Sequence, residues 1–117
     1  MQLDWYHCKG GVWCELNKLD IEHEYLQDLS GVYIIWAGSA AERNFIKAGF
    51  GDIQDELRAN RSDLAVQAFS RMNLYVTWAE VGNFKLKSVY NFLVEKLKPK
   101  LYEKIDKSGT TKVNLPW

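Results

Sequence analysis

The stretch Gly31-Val32-Tyr33-Ile34-Ile35-Trp36 decides how the fold is read. β-Branched and aromatic residues in an uninterrupted apolar run indicate a well-buried strand. The segment that follows, 37–43, contains Gly38 and Ser39 and suits a hairpin connection. Asn44 to Phe50 then reads as the returning strand, ended by Gly49 and Gly51. Asp52 is placed to cap a helix in which Ile53, Leu57 and Ala59 follow at helical spacing. A second short helix is expected over Ser62 to Phe69, and Leu74-Tyr75-Val76-Thr77-Trp78-Ala79 is the next clear strand. Gly82 breaks that strand. Leu86, Val89, Leu93 and Leu97 then recur as an amphipathic helix requires, and Pro99 ends that helix at the residue before it. The order β-β-α-α-β-α predicts an α/β (α+β) domain with a small three-stranded, mainly antiparallel sheet flanked by helices.

Outward from this core, residues 1–29 are aromatic and mildly acidic, and Trp13, Leu16, Leu19 and Ile21 follow no clean period. They are expected to form an N-terminal extension, a short strand or irregular segment packed on the edge of a single domain spanning 1–117. At the other end, Val113-Asn114-Leu115-Pro116-Trp117 is too apolar to stay in solvent and is expected to dock on the core. With 47% hydrophobic and 14% aromatic residues the chain has ample material for a core, which excludes a disordered protein. The absence of a spanning apolar run and of signal-peptide features in Met1-Gln2-Leu3-Asp4 leads to the expectation of a cytoplasmic protein without membrane contact.

The net charge is zero but unevenly placed. Residues 1–79 carry seven Lys/Arg against eleven Asp/Glu, whereas residues 80–117 carry eight Lys against four acids. Nucleic-acid binding draws on a positive surface that neutralises phosphates, which only the C-terminal third can supply. Lysines 85, 87, 96, 98, 100, 104 and 107 are the candidates, with a plain solvated face as the alternative. Cys8 and Cys14 lie beside His7, with His23 further on. Their spacing fits neither C-x-x-C nor H-x-x-x-H, so two reduced thiols are expected, with zinc or a disulfide as the other readings.

Four strings resemble the GIY-YIG nucleases, and within them a group of small stand-alone proteins: GVYIIW at 31–36, KAGFGDIQDEL at 47–57, LYVTWA at 74–79 and VNLPW at 113–117. The resemblance covers the chain from about residue 31 onward and implies the same sheet-and-helix fold. It also implies four working positions: two tyrosines, an arginine on the first helix and a glutamate on the long helix. In such a site the glutamate binds a divalent metal that polarises the scissile phosphate, and the arginine stabilises charge on the phosphoryl oxygens. The first tyrosine matches Tyr33, the second falls on Lys47, the arginine on Glu56 and the glutamate on Tyr90.

Three of the four positions are therefore changed, one with reversal of charge. Arg58 lies about 200° around the helix from Glu56 and Arg61 about 140°, so neither replaces the arginine, and Glu95 stands five residues from Tyr90. The expectation is a catalytically inactive domain that binds nucleic acid or protein. Tyr33, Lys47, Glu56 and Tyr90 mark the former site, and Gly49, Gly51, Arg58, Arg61, Lys85 and Lys87 are binding candidates. No cofactor is expected in that case. The alternative is an active endonuclease with a displaced site, in which Glu56 recruits Mg²⁺ or Mn²⁺ and Lys47 contacts phosphate. Plainer readings exist for each residue: Tyr33 as core, Lys47 with Glu56 as a surface ion pair, and the two glycines as turn formers.

Overall fold

A computed structural model describes residues 1–38, 42–103 and 109–117. Its regular elements are β1 (Cys14–Glu15), β2 (Ser30–Ala37), β3 (Asn44–Asp52), α1 (Ile53–Arg61), α2 (Leu64–Gln67), β4 (Leu74–Glu80) and α3 (Leu86–Leu97), with 3₁₀ turns at Lys9–Gly11 and Glu24–Leu26. The strands form one antiparallel sheet in the order β1-β4-β2-β3. The mixed α/β class is as the sequence predicts, with four strands rather than three. The extra strand comes from the N-terminal extension, where Cys14 pairs with Val76 and Glu15 with Tyr75.

Strand β2 is central, and every residue from Gly31 to Ala37 is buried. Side chains alternate across a sheet, so this apolar run feeds two cores at once. Tyr33, Ile35 and Ala37 join Ile53, Leu57, Val66, Val76 and Trp78 on one face. Val32, Ile34 and Trp36 join Ala48, Val89, Tyr90 and Leu93 on the other. Helices α1 and α2 thus cover one face and α3 the opposite one.

Strand β3 runs two residues further than expected, to Asp52, whose carboxylate accepts a hydrogen bond from the Asp55 amide at 3.0 Å and caps α1. On α1 the buried stripe is Ile53, Leu57 and Asn60, while Ala59 is exposed. The second short helix is shorter than expected, capped by Asp63. Helix α3 ends on Lys98, in a left-handed conformation just before Pro99. The expected hairpin connection includes residues 39–41, which lie outside the described residues, as do the lysines at 104 and 107.

The C-terminal tail docks as its composition requires. The Leu3 amide and carbonyl bond the Asn114 side chain at 2.6 and 3.0 Å, and the Trp5 indole donates to the Asn114 carbonyl at 2.8 Å. Trp117 stacks on Phe45 at 5.5 Å and meets Trp36 edge-on at 5.3 Å.

The expectation of two reduced thiols is overturned, and with it the zinc reading: Cys8 and Cys14 form a disulfide with their Cα atoms 5.1 Å apart. Gly10 and Gly11 adopt φ of 80° and 73° in the intervening turn, and the Cys8 amide bonds the Val12 carbonyl at 2.8 Å. That turn brings the two sulfurs together, a closure that spacing alone does not reveal.

Candidate functional site

Tyr33 and Gly49 are direct partners across β2 and β3, so both face α1. The phenol end of Tyr33 passes close over the glycine: a Cβ at position 49 would stand 2.3 Å from both Cζ and the phenol oxygen. Gly49 is therefore required by this close approach and not by turn geometry. Of the two, it is Gly51 that has the unusual backbone, φ +135°, and it faces the Glu56 side chain.

Crossing Gly49, the Tyr33 hydroxyl donates to Glu56 Oε1 at 3.0 Å and accepts from Asn60 Nδ2 at 3.0 Å. Asn60 Nδ2 also donates to the Glu56 carbonyl at 2.8 Å, and Asn60 Oδ1 accepts from Lys47 Nζ at 2.9 Å. Lys47 reaches Asp63 at 3.8 Å, not Glu56, so a partly buried network stands in place of the surface ion pair that was its plainer reading. At 1% exposure, Asn60 is its hub. Each polar group in that hub finds a partner, which is the condition for burying them.

Burial pushes the Tyr33 phenol far above the usual tyrosine range, and the charges of Glu56 and Glu103 add to the effect against the opposing Asn60 bond. Its proton is committed to Glu56 at neutral pH, which leaves it unsuited to taking a proton from water.

Of the four matched positions, Tyr33, Lys47 and Glu56 come together. Tyr90 does not: it packs in the core across the sheet, 4.9 Å from the Phe50 ring, and donates to the Glu103 carbonyl at 2.8 Å. Burial pushes its pKa up to about 12. Arg58 points to solvent and pairs with Glu22 at 2.8 Å and Asp55 at 3.1 Å. Arg61 turns to the N-terminal segment, donating to the Leu16 carbonyl at 2.7 Å and to that of Leu19. Lys85 and Lys87 are exposed at the start of α3, beside the wholly exposed Phe84.

A nuclease of the kind the resemblance implies needs Mg²⁺ or a similar ion held by several oxygen donors in near-octahedral array. Among the described residues no three His, Cys, Asp or Glu side chains are grouped to hold one. Glu56 already accepts from Tyr33, and the nearby Asp63 carboxylate faces the Lys47 ammonium. These residues do not fit a divalent ion.

Asn60 and Asp63 were not singled out in the sequence. Asn60 had a signal: it continues the stripe Ile53–Leu57 at i+7, where a polar residue on an apolar face needs an internal partner. Asp63 reads from sequence only as a helix cap. The chain matches no family model, no curated protein and no solved structure.

Proposed function

We propose that this chain is a GIY-YIG-nuclease-like domain whose catalytic set has given way to a structural network, and that it acts as a nucleic-acid-binding module. The observation that carries the reading is the hydrogen-bonded ring Tyr33–Glu56–Asn60, with Lys47 joined to it through Asn60 Oδ1. Its groups satisfy one another in the place where an active relative would present a cation to the phosphate. Support for a nucleic-acid partner comes from Lys85, Lys87, Lys96, Lys98, Lys100 and Lys112, all exposed in the basic C-terminal third. Low-salt binding of short DNA or RNA, weakening steeply with added salt, is the expected result. Binding to neither would instead favour a protein partner through exposed aromatics such as Tyr25, Phe84 and Tyr102.

One observation favours the second reading, a displaced metal-dependent endonuclease: Tyr33, Lys47 and Glu56 do meet around Asn60. Plasmid and oligonucleotide cleavage with Mg²⁺ or Mn²⁺ decides between the two. No cleavage above background is expected, and robust cleavage lost in Tyr33→Phe would overturn the inactive reading.

A further inference from the structure

A cavity of about 450 Å³ opens at the hairpin end of the sheet on the face away from Tyr33. Its size falls within the ~300–1,000 Å³ of small-molecule sites. Trp36, 1% exposed, lies beneath it. Trp13 stands nearly perpendicular to Trp36, at 87° and 5.2 Å, and Tyr75 lies 5.9 Å from it at 30°. Trp13 and Tyr75 are half-buried, so each is fixed by packing and still offers ring surface to a ligand.

Two opposite charges line the same cavity. Glu15 projects from β1 and pairs at 3.5 Å with Lys18, whose side chain is 74% exposed, a contact that water weakens. The Arg43 guanidinium lies 4.2 Å from the centre of the Trp117 ring. Cation–π contact orients this planar donor fork, a shape suited to phosphate.

The combination narrows the ligand. A simple cation is repelled by Arg43, and a simple anion is repelled by Glu15 and gains nothing from the rings. An apolar molecule would desolvate both charges without partnering either. A nucleobase with its phosphate meets all three demands: its face stacks on an aromatic ring, its amino and imino edge donates to the carboxylate, and its phosphate accepts from the guanidinium. Guanine presents two adjacent donors to a carboxylate, which uracil does not.

We propose that the cavity between Trp13, Trp36 and Tyr75 binds an unstacked guanine base and its 5′-phosphate, with Glu15 reading the base edge and Arg43 holding the phosphate. The assignment of that nucleotide to a single strand rests on the nucleic-acid-binding reading above, whereas the pocket chemistry does not.

The test titrates the full chain with GMP, guanosine, UMP, and a guanine-containing heptamer as single strand and duplex, by calorimetry and by the indole N–H signals in NMR. GMP is expected to shift the Trp13 indole signal and to bind at least about tenfold more tightly than UMP. Glu15→Gln should weaken GMP about tenfold and UMP much less. Arg43→Gln should reduce GMP to the affinity of guanosine and leave guanosine unchanged. Because Arg43 also rests on Trp117, Glu15→Gln, which leaves that contact intact, stands as the independent check. Absence of GMP binding, or GMP affinity unchanged in both variants, overturns the pocket. Oligonucleotide binding that ignores both variants overturns the pocket and leaves the binding module intact. GMP binding with the expected variant pattern but no binding of the single strand upholds the pocket and overturns the nucleic-acid reading.

Discussion

Replacing Asn60 by leucine tests the central network, because two lines of reasoning predict opposite signs. On hydropathy alone, a buried asparagine on the stripe Ile53–Leu57–Asn60 exchanged for leucine should stabilise the chain. The geometry predicts the reverse. The substitution removes the bonds from Nδ2 to the Tyr33 hydroxyl and to the Glu56 carbonyl, and the bond from Lys47 to Oδ1. The two neutral bonds contribute about 1 kcal/mol each. The charged one also contributes about 1 kcal/mol, discounted from the usual range because the Lys47 side chain is 23% exposed and water replaces part of it. Leucine returns about 1.5 kcal/mol of burial, but its extra volume in a closed site costs about 1–3 kcal/mol. The net expectation is a loss of about 2.5–4.5 kcal/mol, or about 10–18 °C in Tm for a domain of this size. Urea unfolding followed by circular dichroism measures it. A double-mutant cycle with Lys47→Met should give a coupling of about 1 kcal/mol. An Asn60→Leu chain as stable as the parent, or two strictly additive substitutions, would refute the hub.

Gly49→Ala should cost about 2–4 kcal/mol, about 1–3 from a Cβ 2.3 Å from the Tyr33 phenol and about 1 from the Tyr33–Glu56 bond lost as the ring moves; an unchanged denaturation midpoint would contradict this packing. Both Tyr33 and Tyr90 have pKa values raised in the folded chain, so the native state keeps protons that the unfolded state, with tyrosines near ~10, gives up. Stability from this source is complete below pH ~10 and should fall as pH rises toward about 12, the value to which Tyr90 is pushed. Tyr90→Phe should flatten part of that decline in unfolding curves taken at several pH values, and an unaltered slope would speak against it. Reducing the Cys8–Cys14 disulfide, which closes a sequence separation of 6, should lower stability by about 2 kcal/mol in the chain-entropy treatment. Identical midpoints with and without reductant would rule that contribution out.

The elements were legible because each carries its own local signal. The apolar run of β2, the cap at Asp52, the 3.6-residue spacing in α3 and the stop before Pro99 are all written in adjacent residues. The fourth strand was not, since Cys14–Glu15 is too short to show alternation and exists only through its pairing with β4. The disulfide stood only as a secondary reading for a related reason: two glycine backbones at positive φ bring Cys8 to Cys14, and residue spacing does not encode that turn.

Within the candidate site, sequence by itself determined which chemical groups are on offer: the phenols of Tyr33 and Tyr90, the ammonium of Lys47 and the carboxylate of Glu56. Only the tertiary structure decided what those groups do to one another. Whether Lys47 pairs with Glu56 or with Asn60 and Asp63 depends on the direction of α1 as it leaves β3. Whether Tyr90 joins Tyr33 depends on which face of the sheet α3 covers. Hydrogen bonds act over about 3 Å, and no local pattern encodes a distance that short between residues far apart in the chain.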